Sequence, residues 1–204
     1  GNKEEILSIA TRLFATRGYD VVGIQEIVDQ AGISKPTMYH YFGSKNGLLT
    51  AIMETSFRRL LLELSPATVY SGDLPATLTS IVKAYFRFAV RNPEFYRLHL
   101  AFWFSPPSSD GFIAAKEWWE KQQQLLEMVF MLAANDHGNM KNRQRIYAAT
   151  FLGTINTFIA FFLNGYAELD DNAATALSNS SATESIPETD PMLSDSSDNL
   201  LTPA

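Results

Sequence analysis

Cysteine is absent from this 204-residue chain, which excludes disulfides, thiolate metal sites and cysteine nucleophiles. Histidine is scarce: only His40, His99 and His137 occur, and no second His or Cys stands near His40 at metal-ligand spacing, so no metal site is expected. No uninterrupted apolar run approaches the roughly 20 residues that span a bilayer, and the opening GNKEEILSIA is too charged for a secretory signal. A soluble, cytoplasmic protein with no membrane partner is therefore expected. There is no Gly-rich phosphate loop, no Glu-x-x-His pair and no nucleophile motif, so neither an enzyme nor a cofactor is expected.

Positive charge is also in short supply, with 16 Lys and Arg against 22 Asp and Glu and a net charge of −6. The deficit has an address. Residues 168–204 carry eight acids (Glu168, Asp170, Asp171, Glu184, Glu188, Asp190, Asp195 and Asp198) and no base, leaving 16 bases against 14 acids upstream. Residues 1–47 balance five bases against five acids. Any affinity of that segment for a polyanion must depend on where the charges point rather than on bulk excess.

The chain is not short of apolar residues, which make up 46% of it and can fill a sizeable core. Their spacing is helical. Ile6, Ala10, Leu13 and Phe14 define a first helix over 3–17 with Gly18 as its stop. Ile24, Ile27, Val28 and Ala31 define a second, ended by Gly32. Ser34 then caps a third, from Lys35 to about Phe42, with Pro36 tolerated in its first turn. Ser44 caps a fourth reaching about Leu64. Further helices are expected over 75–91, 93–104, 111–135 and 141–169, separated by Asn92-Pro93, Ser105-Pro106-Pro107 and the polar link 135–139. Beyond about residue 172, Ser, Asp, Thr and Pro dominate and a flexible acidic tail is expected, with a short helix near Leu177 or Leu200 as the alternative. The fold class is all-α. The expected division is a head of short helices at 1–47, a second helical domain at 48–170, and the tail at 171–204.

Two short helices meeting across the tight turn Ala31-Gly32-Ile33-Ser34 are followed by Thr37-Met38-Tyr39, Tyr41-Phe42 and Ser44-Lys45. The string GIQEIVDQAGISKPTMYHYFGSKNGLL, residues 23–49, resembles the DNA-binding head of the TetR family of helix-turn-helix regulators, and the specific resemblance covers roughly residues 3–55. It implies a dimeric, ligand-responsive transcriptional regulator, most often a repressor, released from a palindromic double-stranded operator by a small-molecule effector. The sign of the ligand response stays open. The rival readings are an all-α small-molecule-binding protein or enzyme with an incidental helix-turn-helix, and an interaction adaptor using the acidic tail.

With Ile33, Met38 and Phe42 turned to the core, helical geometry leaves Lys35, Pro36, Thr37, Tyr39 and His40 facing outward. A short helix presented this way inserts its N-terminal end into the major groove. Lys35 can donate to guanine, Pro36 and Thr37 can touch a thymine methyl, and Thr37 can instead bind phosphate. Ser34, at the turn, belongs to the same candidate surface. The resemblance adds Gln25 as a base or backbone contact, and Tyr41 and Lys45 as phosphate contacts. Two departures stand out: Gly23 replaces the usual capping Ser or Thr, and Asn46-Gly47 replaces two acids.

Downstream, Tyr85, Tyr96, His99, Phe102, Trp103 and Trp119 are candidate walls of an effector cavity suited to a hydrophobic or aromatic molecule, with Arg87, Arg91, Arg97 and His99 as candidate anchors for an anionic group. Residues 146–166 are apolar nearly all round, as a helix covered on two sides would be. The resemblance places its second face against a symmetry mate. The candidate dimer contacts are Ala149, Gly153, Thr157, Ala160, Phe161 and Asn164, the small ones permitting close approach.

Overall fold

The computed structural model describes residues 3–137 and 143–185, and among these the chain forms nine helices and no strand. The first three are α1 (Lys3–Arg17), α2 (Ile24–Ala31) and α3 (Lys35–Phe42). The buried faces of α1 and α2 are those that the apolar spacing defines: Ile6, Ala10, Leu13 and Phe14 on one, Ile27, Val28 and Ala31 on the other. At the turn between α2 and α3, Gly32 is left-handed (φ 62°, ψ 34°), and its N–H returns to the carbonyls of Val28 and Asp29. Such a φ costs a glycine nothing and a side-chain residue about 1 kcal/mol. Ser34 Oγ then accepts the Thr37 N–H and starts α3.

The long α4 (Lys45–Ala67) leaves the head and packs against α1, α5 and α7. It runs past the expected end at Leu64 because Pro66 sits in the last turn, where a missing N–H removes only one bond, and Thr68 N–H closes the end on the Leu64 carbonyl. The remaining helices are α5 (Leu74–Arg91), α6 (Pro93–Trp103), α7 (Asp110–His137), α8 (Gln144–Leu163) and α9 (Asp171–Ser185). α1 lies on α6, α7 pairs with α8, and α5 is covered by α9. α8 stops at Leu163 rather than near 169. Gly165 turns the chain at φ 79°, and the N–H groups of Gly165 and Tyr166 return to Phe162 and Phe161.

The expectation of a flexible tail from residue 171 is corrected over its first half. Residues 171–185 form α9, and Ala174, Leu177, Ser178 and Ala182 are buried on one face of it. Ser178 Oγ lies 2.7 Å from Thr79 Oγ1 on α5, Asp171 pairs with Lys83 at 3.3 Å, and Asp170 Oδ1 accepts the Ala173 N–H at the helix start. The segment reads as polar because its buried residues are small, yet small residues are what allow two helices to approach closely. Residues 186–204, the rest of that expected tail, lie outside the described residues, as do 138–142 between α7 and α8.

Among the described residues, α8 is the one helix with the length and mean hydropathy (1.7) of a membrane span. Ala148, Phe151, Ile155 and Ile159 bury one face of it in the subunit. The opposite face, where Ile146, Ala149, Gly153, Thr157 and Phe161 are exposed, interleaves apolar residues with threonines and is uncovered in a single chain.

Candidate nucleic-acid interface and effector region

α3 buries only Met38 and presents Lys35, Pro36, Tyr39, His40 and Tyr41 to solvent, with Ser34 exposed ahead of them and Thr37 partly buried. Ser34 Oγ and Thr37 Oγ1 are 2.9 Å apart, so each hydroxyl already has a partner in the other. Gln25, on the exposed face of α2, donates its amide to Asp29 Oδ1 at 2.7 Å and must leave that carboxylate to reach a base. Gly23 precedes α2 with no side-chain cap.

The head's five bases differ in what already holds them. Lys3 lies over the Phe42 ring, Arg12 donates to Gln30, Arg17 pairs with Glu26, and Lys45 donates to the Tyr19 carbonyl. Lys35 alone has no partner among the described residues, and it stands exposed at the first position of α3. Lys45 is set apart from the α3 surface. It is partly buried, 4.3 Å from the Tyr19 ring centroid and 5.8 Å from that of Phe14, and burial pulls its ammonium below the usual lysine range against the opposing pull of Asp20 and Asp110.

Tyr19 is not among the candidate site residues read from the sequence, yet it joins the head to the second domain. Its hydroxyl donates to Asp110 Oδ2 at 3.1 Å at the start of α7, and its ring meets Phe102 of α6 edge-on at 6.3 Å. Burial and the Asp110 hydrogen bond push its phenol well above the usual tyrosine range. One side chain thus ties the end of α1 to α6 and α7, across 91 positions from Asp110. Tyr19→Phe, which keeps the ring and removes this bond, is expected to cost about 1 kcal/mol in thermal unfolding. An unchanged melting temperature would mean that the bond contributes nothing.

Four of the six candidate effector residues converge. Tyr85, Tyr96, His99 and Trp119 are all buried, Tyr96 and His99 with ring centroids 4.5 Å apart and Trp119 Nε1–H donating to His99 Nδ1 at 3.3 Å. The Tyr85 hydroxyl donates to Gln122, and that of Tyr96 to Asn156. Phe102 instead faces the head, against Tyr19. Trp103 is half exposed, with its ring edge-on to Trp119 at 4.9 Å. Phe57 and Phe95, which sequence reading did not select as cavity walls, complete the cluster at 5.1 and 5.4 Å from the His99 ring.

The three arginines do not join it. Arg91 pairs with Glu63 at 2.5 Å, Arg97 donates to Asn164 and to the Leu163 carbonyl, and Arg87 is exposed along a groove of about 540 Å³ between α5 and the start of α9. The candidate dimer residues share one face of α8: Ala149, Gly153, Thr157, Phe161 and Asn164 are exposed and Ala160 is partly buried. Met128, Met131 and Leu132 of the neighbouring α7 are exposed as well.

Residues 6–52 match the family model described as bacterial regulatory proteins, tetR family. Over 170 residues the chain is 27% identical to the HTH-type transcriptional activator FasR of Mycolicibacterium smegmatis, covering 83% of this chain and 76% of that protein. Over 82 residues it is 33% identical to the HTH-type transcriptional repressor KstR2 of Rhodococcus jostii, covering 40% of each. The fold matches that of the fatty acid degradation regulator FadR from Bacillus halodurans with a TM-score of 0.75 at 16% identity, over 88% of this chain and 97% of that one. A helix-turn-helix head on a helical C-terminal domain defines a class of DNA-binding transcriptional regulators. Within that class, residues 6–52 carry the head of the tetR family, and the chain is similar over most of its length to a regulator of the helix-turn-helix type.

Proposed function

We propose that this regulator holds a palindromic operator as a homodimer in the cytoplasm, reads it with α3, and releases it when a small apolar effector enters the aromatic region of the C-terminal domain. The observation that carries the reading is Lys35: it is exposed at the N-terminal end of α3 and, unlike the head's other bases, is held by nothing among the described residues. A lysine there can donate to guanine O6 and N7 in the major groove. Pro36, Thr37, Tyr39 and His40 flank it, Ser34 and Tyr41 border the backbone side, and Gln25 reaches the surface once it leaves Asp29. Lys45 takes a phosphate only by exchanging the Tyr19 carbonyl for it. No catalytic step enters this reading.

The dimer is supported by the uncovered strip of Ile146, Ala149, Gly153, Thr157 and Phe161 on α8, bordered by Met128 and Met131 of α7. A two-fold partner covers such a strip with its own copy and presents two copies of α3 to successive major grooves. Gly153→Glu, which places a charge where an added Cβ meets no neighbour within 4 Å, is expected to leave the subunit folded and to convert dimer to monomer in sedimentation velocity. A persistent dimer would move the interface elsewhere.

Selection of duplexes from a random pool tests the reading as a whole. The expected winner is palindromic. Lys35→Ala is expected to weaken it by about 1–3 kcal/mol and to relax preference at one symmetric pair of positions. Failure to enrich any sequence would remove the regulator reading. FasR is named an activator and KstR2 a repressor, so titration of the winner with and without effector also reads the sign: release on ligand binding marks a ligand-relieved repressor, and tighter binding overturns that part.

A further inference from the structure

Around the aromatic cluster, Tyr85, Tyr96 and Trp119 each spend their polar hydrogen on a protein acceptor. His99 does not. Its Nδ1 accepts from Trp119, so the single proton of the neutral ring sits on Nε2. Burial pulls the imidazolium down to about 3, which keeps the ring neutral near neutral pH. The residue is 2% exposed, and Nε2 has no hydrogen-bond partner among the described residues. An orphaned buried donor costs about 1–3 kcal/mol, so the fold keeps a site whose cost an incoming acceptor offsets.

The surroundings set the chemistry of that acceptor. Phe57, Phe95 and Tyr96 place their rings against His99 at 4.5–5.4 Å. Trp119, which meets the His99 ring at Nδ1, continues the aromatic wall to the half-exposed Trp103, where the wall reaches solvent. Among the described residues no cation contacts the His99 ring: Arg58 and Lys121 lie over Trp118, which stacks on Phe57, Arg91 and Arg97 are engaged elsewhere, and Arg87 lies in the α5–α9 groove. A carboxylate here would be buried without a counter-charge, whereas a neutral carbonyl needs only the one donor.

We infer that His99 Nε2 is the polar anchor of the effector site, and that the effector is a neutral, mostly apolar molecule bearing one hydrogen-bond acceptor oxygen of the ketone, ester or amide type, entering beside Trp103. This rests on the reading of the chain as an effector-controlled regulator.

A shape-matched pair tests it on the full chain: cyclohexyl phenyl ketone and benzylcyclohexane, which differ at the carbonyl oxygen, with cyclohexylbenzoate as the anionic comparison. In calorimetric titrations the wild type is expected to bind the ketone about tenfold more tightly than the hydrocarbon and the carboxylate weakest. In His99→Leu the ketone preference is expected to fall within about twofold while hydrocarbon affinity is retained. Should His99→Leu fail to fold, NMR of isotope-labelled histidine in the wild type decides, with the Nε2–H resonance moving downfield with the ketone and not with the hydrocarbon.

Equal affinities in the wild type, an unchanged ketone preference in His99→Leu, tightest binding of the carboxylate, or binding of none of the three would each overturn the anchor. Operator affinity is measured on the same samples. An intact operator titration with a failed ketone preference sinks the anchor and leaves the regulator standing. A ketone preference without selective DNA binding does the reverse.

Discussion

Gly47→Ala is expected to unseat the recognition helix. An alanine Cβ at this position would lie 1.9 Å from the Phe42 carbonyl oxygen and 3.1 Å from its carbonyl carbon, inside any tolerable contact. The obstacle is backbone at the last residue of α3, so no rotamer change relieves it. Gly47 also gives its N–H to Ser44 Oγ at 2.9 Å, the bond that starts α4. In an ordinary helix interior, alanine in place of glycine gains about 0.5–1 kcal/mol. Here the overlap outweighs that gain, and forcing α3 away from α4 is expected to cost about 2 kcal/mol net. Operator affinity is expected to drop by about an order of magnitude or more, because the contacts made by α3 depend on its seat. Melting temperature and duplex titration read the two effects, and a more stable variant with full affinity would refute the close approach. Gly23→Ala is the control, since its added Cβ meets nothing within 4 Å.

Phe57→Ala carries the largest expected loss of stability. Phe57 is fully buried on α4, with Phe95 edge-on at 5.0 Å, His99 at 5.1 Å and Trp118 parallel at 5.9 Å. Removing the ring forfeits its transfer free energy and leaves a hole among side chains that are themselves packed rings and cannot collapse into it. A cost of about 4 kcal/mol is expected from the urea midpoint, with Phe57→Leu losing about half of that. A loss below about 1 kcal/mol would mean that the core relaxes freely and the cluster is not close-packed. Because α4 also carries the start of the head–core connection at Lys45, a single cooperative transition is expected for head and core together.

The two substitutions mark different depths of legibility. Asn46-Gly47 stands out in the sequence as a departure from two acids, but its reason, the carbonyl of Phe42 pressed against Gly47, is visible only once the corner between α3 and α4 is built. Phe57 is legible as core from its spacing on α4, yet nothing in that spacing places it beside His99, 42 positions along the chain. α9 was legible only as the alternative of a short helix near Leu177, because its buried stripe of Ala174, Leu177, Ser178 and Ala182 has little hydrophobic contrast with its exposed side, although Asp170 supplies an ordinary cap. The arginines at 87, 91 and 97 lie near the aromatic residues in sequence and away from them in space, since a helix turns by about 100° per residue and sends neighbours to different faces.

What the sequence by itself determined is the head and the helical class. Apolar residues at spacings of three and four, Ser34 and Ser44 as caps, and Gly18, Gly32 and Gly43 as stops act within one or two turns of their own position, so their physics is contained in the local string. Tertiary structure alone decided which charges and donors remain unspent. Lys45 folds onto Tyr19 while Lys35 stands free, Tyr19 reaches Asp110, and His99 keeps an unclaimed Nε2–H. Each of these outcomes depends on which side chains from distant segments arrive at the same place, and hydrogen bonds and ion pairs form only within a few ångströms.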